Sequence, residues 1–269
     1  MKKIVFIFLL MGSAVLAQKQ EKRQVIDFEQ VKVSQGIHLD YTAGGSTTVA
    51  VEVDDEKDMQ YVKTEVKNGV LQVYIDMPRG IFNYKMGRVH VKVNHSSLTA
   101  AHVSSSAVFT LNNKVKAKQF SITTSSSGKF MADVIQADNL TVTTSSSSKV
   151  EGKFEIANST TIEASSSSKI DMDLKANKVE LIVSSSARVE VEGSAKSVDA
   201  KASSSAKIDG KDFAIQTLNG KASSSGTMSF TVADEVKGKA SSSGKINVYG
   251  NARLVETSKS SGGKIEKLN

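Results

Sequence analysis

The carboxylates Glu151, Asp171, Glu190 and Asp209 recur every 19 or 20 residues, and they are the one series in the chain to which paired acid chemistry could be assigned. On a scaffold that stacked them, neighbouring carboxyl groups about 5 Å apart would suit a retaining glycosidase, with one as nucleophile and the other as acid. Yet these acids repeat as evenly as everything around them. A catalytic site ordinarily interrupts its scaffold with a loop, a buried charge or an aromatic platform. Two residues before each acid stands a base, Lys149, Lys169, Arg188 and Lys207, and the basic series also includes Lys129, Lys245 and Lys264, with Thr227 as its interruption. Glu266 closes the acidic series. The plainer reading is a solvated wall whose two charged columns neutralise each other.

Other reactive residues fit their motifs no better. His90, His95 and His102 lie close in sequence, but their spacing mixes the two faces of a strand and matches no zinc-ligand pattern. Serine is abundant without a Gly-x-Ser-x-Gly elbow. The runs Ser223-Ser224-Ser225-Gly226 and Ser241-Ser242-Ser243-Gly244-Lys245 lack the earlier glycine and the outgoing helix of a phosphate-binding loop. The acids also lack the glycine-rich pattern of calcium β-rolls. No catalytic, cofactor-binding or metal-ligating residue is therefore assigned, and no cofactor is expected.

These residues must be positioned by a repeat. Nine small-residue clusters centre on Ser105, Ser126, Ser146, Ser166, Ser185, Ser204, Ser224, Ser242 and Ser261, 18 to 21 residues apart. That period, with no helical stripe between clusters, predicts a β-solenoid of about 19 to 20 residues per coil. Strand alternation carried through Leu140, Val142, Thr144, Ser146, Ser148 and Val150 places every middle serine inside, so Ser185 is expected inward and Ser184 outward. The first and third serines would then form two outward hydroxyl ladders at the strand spacing of about 4.8 Å. Such a flat array could order water as an ice-binding plane, although serine lacks the methyl group that threonine would present. Asp138, Asn158, Asn177 and Asp234 each follow an alanine and are expected at a second corner with left-handed backbone.

Residues 25–100 lack serine triplets. Alternating runs at Phe28–Tyr41, Val49–Val53 and Val89–Val93, and a hairpin around Asn68-Gly69, read as an irregular β section that caps the stack. Residues 1–17, with Lys2, Lys3 and a short apolar run ending in Val15-Leu16-Ala17, read as a secretory signal, and 18–24 as a linker. No membrane span is expected after signal cleavage. Cysteine is absent, which excludes disulfides, thiolate chemistry and lipidated cysteine. The formal charge of +7 is dispersed, aromatics make up 6% and tryptophan is absent, so nucleic acid is not an expected partner.

The run Phe28-Glu29-Gln30-Val31-Lys32-Val33-Ser34-Gln35-Gly36-Ile37-His38-Leu39, the Asp54-Asp55 pair, the turn Val66-Lys67-Asn68-Gly69-Val70-Leu71 and the serine coils together resemble the auto-transporter adhesin "head GIN" domain, a domain of unknown function common in secreted or envelope-associated proteins of Bacteroidetes. This resemblance spans residues 25–269, with 101–269 as the regular coils. It implies a right-handed parallel β-helix and an adhesin role, and it brings no site residues. The expectation is an all-β, non-catalytic protein outside the cytoplasm, secreted, periplasmic or at the cell surface, meeting an envelope, cell-surface or glycan partner. The alternative is a polysaccharide-active enzyme that uses the outward carboxylates.

Overall fold

Serine is an unfavourable residue for positive φ, yet Ser146 and Ser147 sit at φ 52° and 60°, and the other serine clusters repeat the pair, with Gly262 as the second residue of the last. Two consecutive left-handed residues make a type I′ turn, and the Ser148 N–H closes it by donating to the Ser145 carbonyl at 3.2 Å. In this computed structural model, which describes residues 19–78, 80 and 84–268, such turns stack from Gln35-Gly36 at one end to Ser261-Gly262 at the other. The third residue of each turn donates its N–H to the middle carbonyl of the next, as Gly36 does to Ser105 at 2.9 Å and Ser127 to Ser146 at 2.9 Å. The residues proposed as a signal lie outside the described ones.

Between the turns the chain is extended. The opening strands are β1 (Lys19–Arg23), β2 (Gln30–Val33), β3 (His38–Ala43), β4 (Thr48–Val53), β5 (Val62–Lys67), β6 (Val70–Ile75) and β7 (Val89–His95), with a 3-10 turn at Glu56–Tyr61. The coils follow as β8 (Ala100–Val103), β9 (Val108–Leu111), β10 (Val115–Thr124), β11 (Lys129–Thr144), β12 (Lys149–Ala164), β13 (Lys169–Val183), β14 (Arg188–Ala202), β15 (Lys207–Ala222), β16 (Thr227–Ala240), β17 (Lys245–Tyr249), β18 (Arg253–Lys259) and β19 (Lys264–Lys267). From β8 onward every pairing is parallel, coil on following coil, giving a β-solenoid of about eight turns.

The interior is filled by inward-facing side chains from each coil. Phe109, Phe130, Val150, Ile170, Val189 and Ile208 stand in register in one buried column, and the Phe109 and Phe130 rings stack at 5.3 Å. Gly210 makes room for a neighbour here, since a Cβ at that position would lie 2.6 Å from the Phe230 ring. Such packing buries apolar surface at about 25 cal/mol per Å2 and supplies the main driving force.

Several expectations are corrected. The middle serines, Ser185 among them, are exposed, because alternation does not pass through a left-handed pair. The exposed rows are the middle and third serines, while first serines such as Ser184 are half-buried. Small side chains do point inward just after the turn, at Ser148, Ser168, Ala187 and Ala206. Their hydroxyls find buried partners, Ser148 with Thr124 at 2.9 Å and Ser168 with Thr144 at 2.8 Å. The exposed rows crown a turn two residues wide and form a ridge. None of Asp138, Asn158, Asn177 and Asp234 has positive φ. Their bends come instead from register shifts, such as that between Ala137 and Asn139.

The opening section continues the stack. Strand β2 lies on β8, and β3 on β9, in parallel; β6 and β7 lie on β2 and β3. The Asn68-Gly69 hairpin joins β5 to β6 as expected. Residues 19–23, read from sequence as a linker, form β1 antiparallel to β4. The ladders thus end in β1 and β5, whose lysines and glutamates discourage pairing with another sheet edge.

The turn geometry sets the mutational outcome. Ser185→Val, a β-branched residue at φ 52°, should lower stability by about 1–2 kcal/mol, whereas Ser185→Asn should leave the melting temperature unchanged or raise it. Ala187→Leu should overfill the buried corner and cost about 1–3 kcal/mol or more. Thermal melts of the three variants read all of these outcomes.

Candidate functional site

The ridge is built by a repeated local conflict. Ala164, Ala202 and Ala222 turn inward at strand ends, small serines accept the left-handed pair that follows, and Ser168, Ala206 and Gly226 turn inward again. Between those buried anchors the two central hydroxyls of each turn face solvent. The row is tight. A Cβ placed at Gly262 would lie 3.6 Å from Ser243 Oγ, ordinary van der Waals contact. Two lines of exposed hydroxyl groups therefore run along the solenoid edge.

Flanking the ridge is the charged wall, and the register confirms its columns. Lys129, Lys149, Lys169, Arg188 and Lys207 are direct strand neighbours, continuing through Thr227 to Lys245 and Lys264. Two residues on, Glu151, Asp171, Glu190 and Asp209 are likewise stacked, then Ser229, Asn247 and Glu266. Lys149 bonds Glu151, Lys169 stands 3.8 Å from Asp171, and Lys207 bonds Asp209 at 2.9 Å. The Lys207 hydrogen bond holds the Asp209 carboxyl below the usual carboxylate range, against a smaller opposing effect of burial. A glycosidase acid needs the opposite, a carboxyl raised so that it keeps its proton.

The histidines are separated as their parity predicts. His95 is buried, stacked on Phe28 at 4.2 Å and hydrogen-bonded to Thr47 at 2.8 Å. His90 is half-exposed, 2.8 Å from Asp40 and 3.6 Å from Glu52, which in turn bonds Lys92 at 2.7 Å. His102 is driven toward its neutral form by burial and by the charge of Lys32. No three His, Cys, Asp or Glu among the described residues are disposed to hold a metal ion.

Sequence reasoning passed over two features. Asp58 is buried and accepts from Tyr84 Oη and from the Gly87 N–H at 2.8 Å, which pushes the Tyr84 phenol upward. Its only sequence signal is the Asp54-Asp55 pair, where Asp55 caps the 3-10 turn. The second is an open groove of about 760 Å3 over the mid-coil bends, with Lys116, Gln136, Glu155 and Lys175 along one row. It arises from register shifts, which leave no mark in composition.

The sequence matches the family described as "Putative auto-transporter adhesin, head GIN domain" over residues 27–160 and 152–252. Among solved structures, a "putative adhesin" from Parabacteroides distasonis superposes with a TM-score of 0.72 at 23% identity, covering 94% of this chain and 97% of its own. A "putative adhesin" from Parabacteroides merdae gives 0.69 at 19% identity, with 94% and 96% covered. A "Putative lipid binding protein" from Parabacteroides distasonis gives 0.65 at 19%, with 94% and 97% covered. At such identities these likenesses establish the fold. Among curated proteins there is no sequence match.

The lowered Asp209 pKa makes the Lys207 pair stabilising above the ordinary carboxylate pKa of about 4, and that contribution is lost as pH falls through the depressed folded value. Asp209→Asn should therefore melt slightly lower than the parent at pH 7. The two curves should converge on acidification, and a gap that persists at pH 2 would contradict the pairing.

Proposed function

We propose that this chain, which belongs to the family described as "Putative auto-transporter adhesin, head GIN domain", is a non-catalytic interaction module of the cell envelope or exterior, and that it meets its partner through the serine ridge. The observation that carries this reading is the backbone of Ser146, Ser147 and their equivalents. Asn-Gly would form the same turns at lower cost, and left-handed serine is unfavourable by about 1–2 kcal/mol per residue. A costly conformation retained in every coil supports a role for the side chain itself, and the hydroxyl is exposed where it could serve one.

Three further observations support the reading. The acid column is spread over successive rungs and tied to lysines, with Asp209 held ionised, which suits a wall better than a proton donor. The interior is packed by side chains such as Tyr41, Phe109 and Phe130, which supports surface recognition over sequestration of an acyl chain inside the solenoid. A location outside the cytoplasm fits the family match. No helix among the described residues is long and apolar enough to cross a membrane.

Replacing Ser185-Ser186 and Ser204-Ser205 by Asn-Gly pairs should keep the turns and raise the melting temperature while lowering attachment of the tagged protein to cells or isolated envelopes. Unchanged attachment would remove the ridge from the account. The purified protein should also leave acidic polysaccharides intact. Depolymerisation that disappears in an Asp171→Ala, Glu190→Ala variant would establish the enzymatic alternative instead.

A further inference from the structure

The ridge is not uniform along its length. On the side entering the turns, the outward position two residues before the first serine is occupied in register by His102, Thr123, Thr143, Glu163 and Ile182, then by Lys201, Lys221 and Lys239. On the side leaving the turns, the lysine column continues through Lys207 and Lys245 to Lys264. Over the last coils lysine thus stands on both sides at the Lys201–Lys207 and Lys239–Lys245 turns and on one side where Thr227 follows Lys221 and Ser258 precedes Lys264, while over the first coils one border is neutral or acidic.

The compensation that makes the other charged wall unremarkable lapses in the same place. Lys149, Lys169 and Lys207 each have a carboxylate two residues on. Lys245 has Asn247 there. Lys221 and Lys239 have Asn219 and Lys237 two residues before them, and the Lys237 charge is already engaged by Glu256. Among the described residues Lys221, Lys239 and Lys245 enter no ion pair, and all three are exposed. Like charges directly opposite each other on neighbouring strands are destabilising; in this row Lys201 has Glu180 at 3.8 Å, whereas Lys221 and Lys239 have no such partner among the described residues.

We infer that the C-terminal coils of the ridge bind a linear acidic polysaccharide, with Lys221, Lys239 and Lys245 holding its carboxylate or sulfate groups and the central serines its hydroxyls. This deepens the interaction reading above and rests on it. Lys221 and Lys239 are direct strand neighbours at the spacing of about 4.8 Å, Lys245 stands on the opposite side of the turns, and the ridge between them offers polar groups suited to a polyol. Among the described residues the exposed large apolar side chains are Ile26, Leu254 and Val255; the last two lie on β18, which leads into the final turn, so lipid vesicles form one arm of the test. No aromatic side chain stands among these lysines to stack a nucleobase.

The test measures binding of the full chain to polygalacturonate and hyaluronate, with dextran, phosphatidylglycerol vesicles and single-stranded DNA as comparisons. The parent should bind the acidic polysaccharides, more weakly as salt rises, and dextran not at all. A Lys221→Gln, Lys239→Gln, Lys245→Gln variant should lose about tenfold or more in affinity, equivalent to about 1.4 kcal/mol, with a melting temperature no lower than the parent's. A Lys116→Gln, Lys175→Gln, Lys196→Gln variant, which removes the same charge elsewhere, should bind as the parent does. Equal losses in both variants, no binding of either acidic polysaccharide, or tighter binding of vesicles or DNA would each overturn the inference. Should the protein still attach to envelopes after such a result, the broader interaction role survives and only this partner class falls.

Discussion

Everything in this molecule depends on keeping successive coils in register, and the device that does so is the hydrogen bond from the third residue of one left-handed turn to the middle carbonyl of the next, as from Ser147 to Ser166 at 3.0 Å. Parallel strands alone fix register through their side-chain pattern, and a slip of one residue would exchange the two faces. The stacked turns add a second constraint at one corner of every coil. Because the turn residues are bonded through their backbones, their side chains are released from structural duty and stand in solvent. The exposed hydroxyl rows thus follow from the same interaction that aligns the interior.

Register then converts sequence into surface. A residue type repeated at one position in each coil becomes a continuous line, and a change in that residue becomes a boundary along the line. The column from Glu151 through Asp209 makes one face self-neutralising. Its lapse at Ser229 and Asn247, together with the arrival of Lys201, Lys221 and Lys239 across the ridge, makes the C-terminal coils electrically distinct on an otherwise even scaffold. At the other end the coils are closed differently, by antiparallel strands at the edges and by polar networks such as Asp58 with Tyr84 and Gly87.

The period, the fold class and the composition of each charged column were legible in the sequence, because residues a coil apart are direct strand neighbours and need no further geometry to be placed. The hairpin at Asn68-Gly69 was legible for the same local reason. What misled was alternation carried through the serine clusters. It presumes extended backbone, and two left-handed residues reset the count, so Ser185 emerges outside while Ala187 stays in. Since serine is not the expected occupant of such a turn, composition gave no warning. Gln35-Gly36, with glycine at the second position, is the nearest thing to a conventional signal. The bends at Asn158 and Asn177, the strand at Lys19–Arg23 and the His90 network depend on contacts from distant parts of the chain, which no local pattern encodes.

The most direct measurement is thiol labelling, made clean by the absence of native cysteine. Ser185→Cys and Ala187→Cys differ by two positions within one corner. If the serines crown the turns, the cysteine at 185 reacts with a soluble thiol reagent in the native protein as readily as in denaturant, and the cysteine at 187 reacts only on unfolding. Native protection of the cysteine at 185 would mean that the middle serines face the interior, contradicting the ridge and all that is built on it.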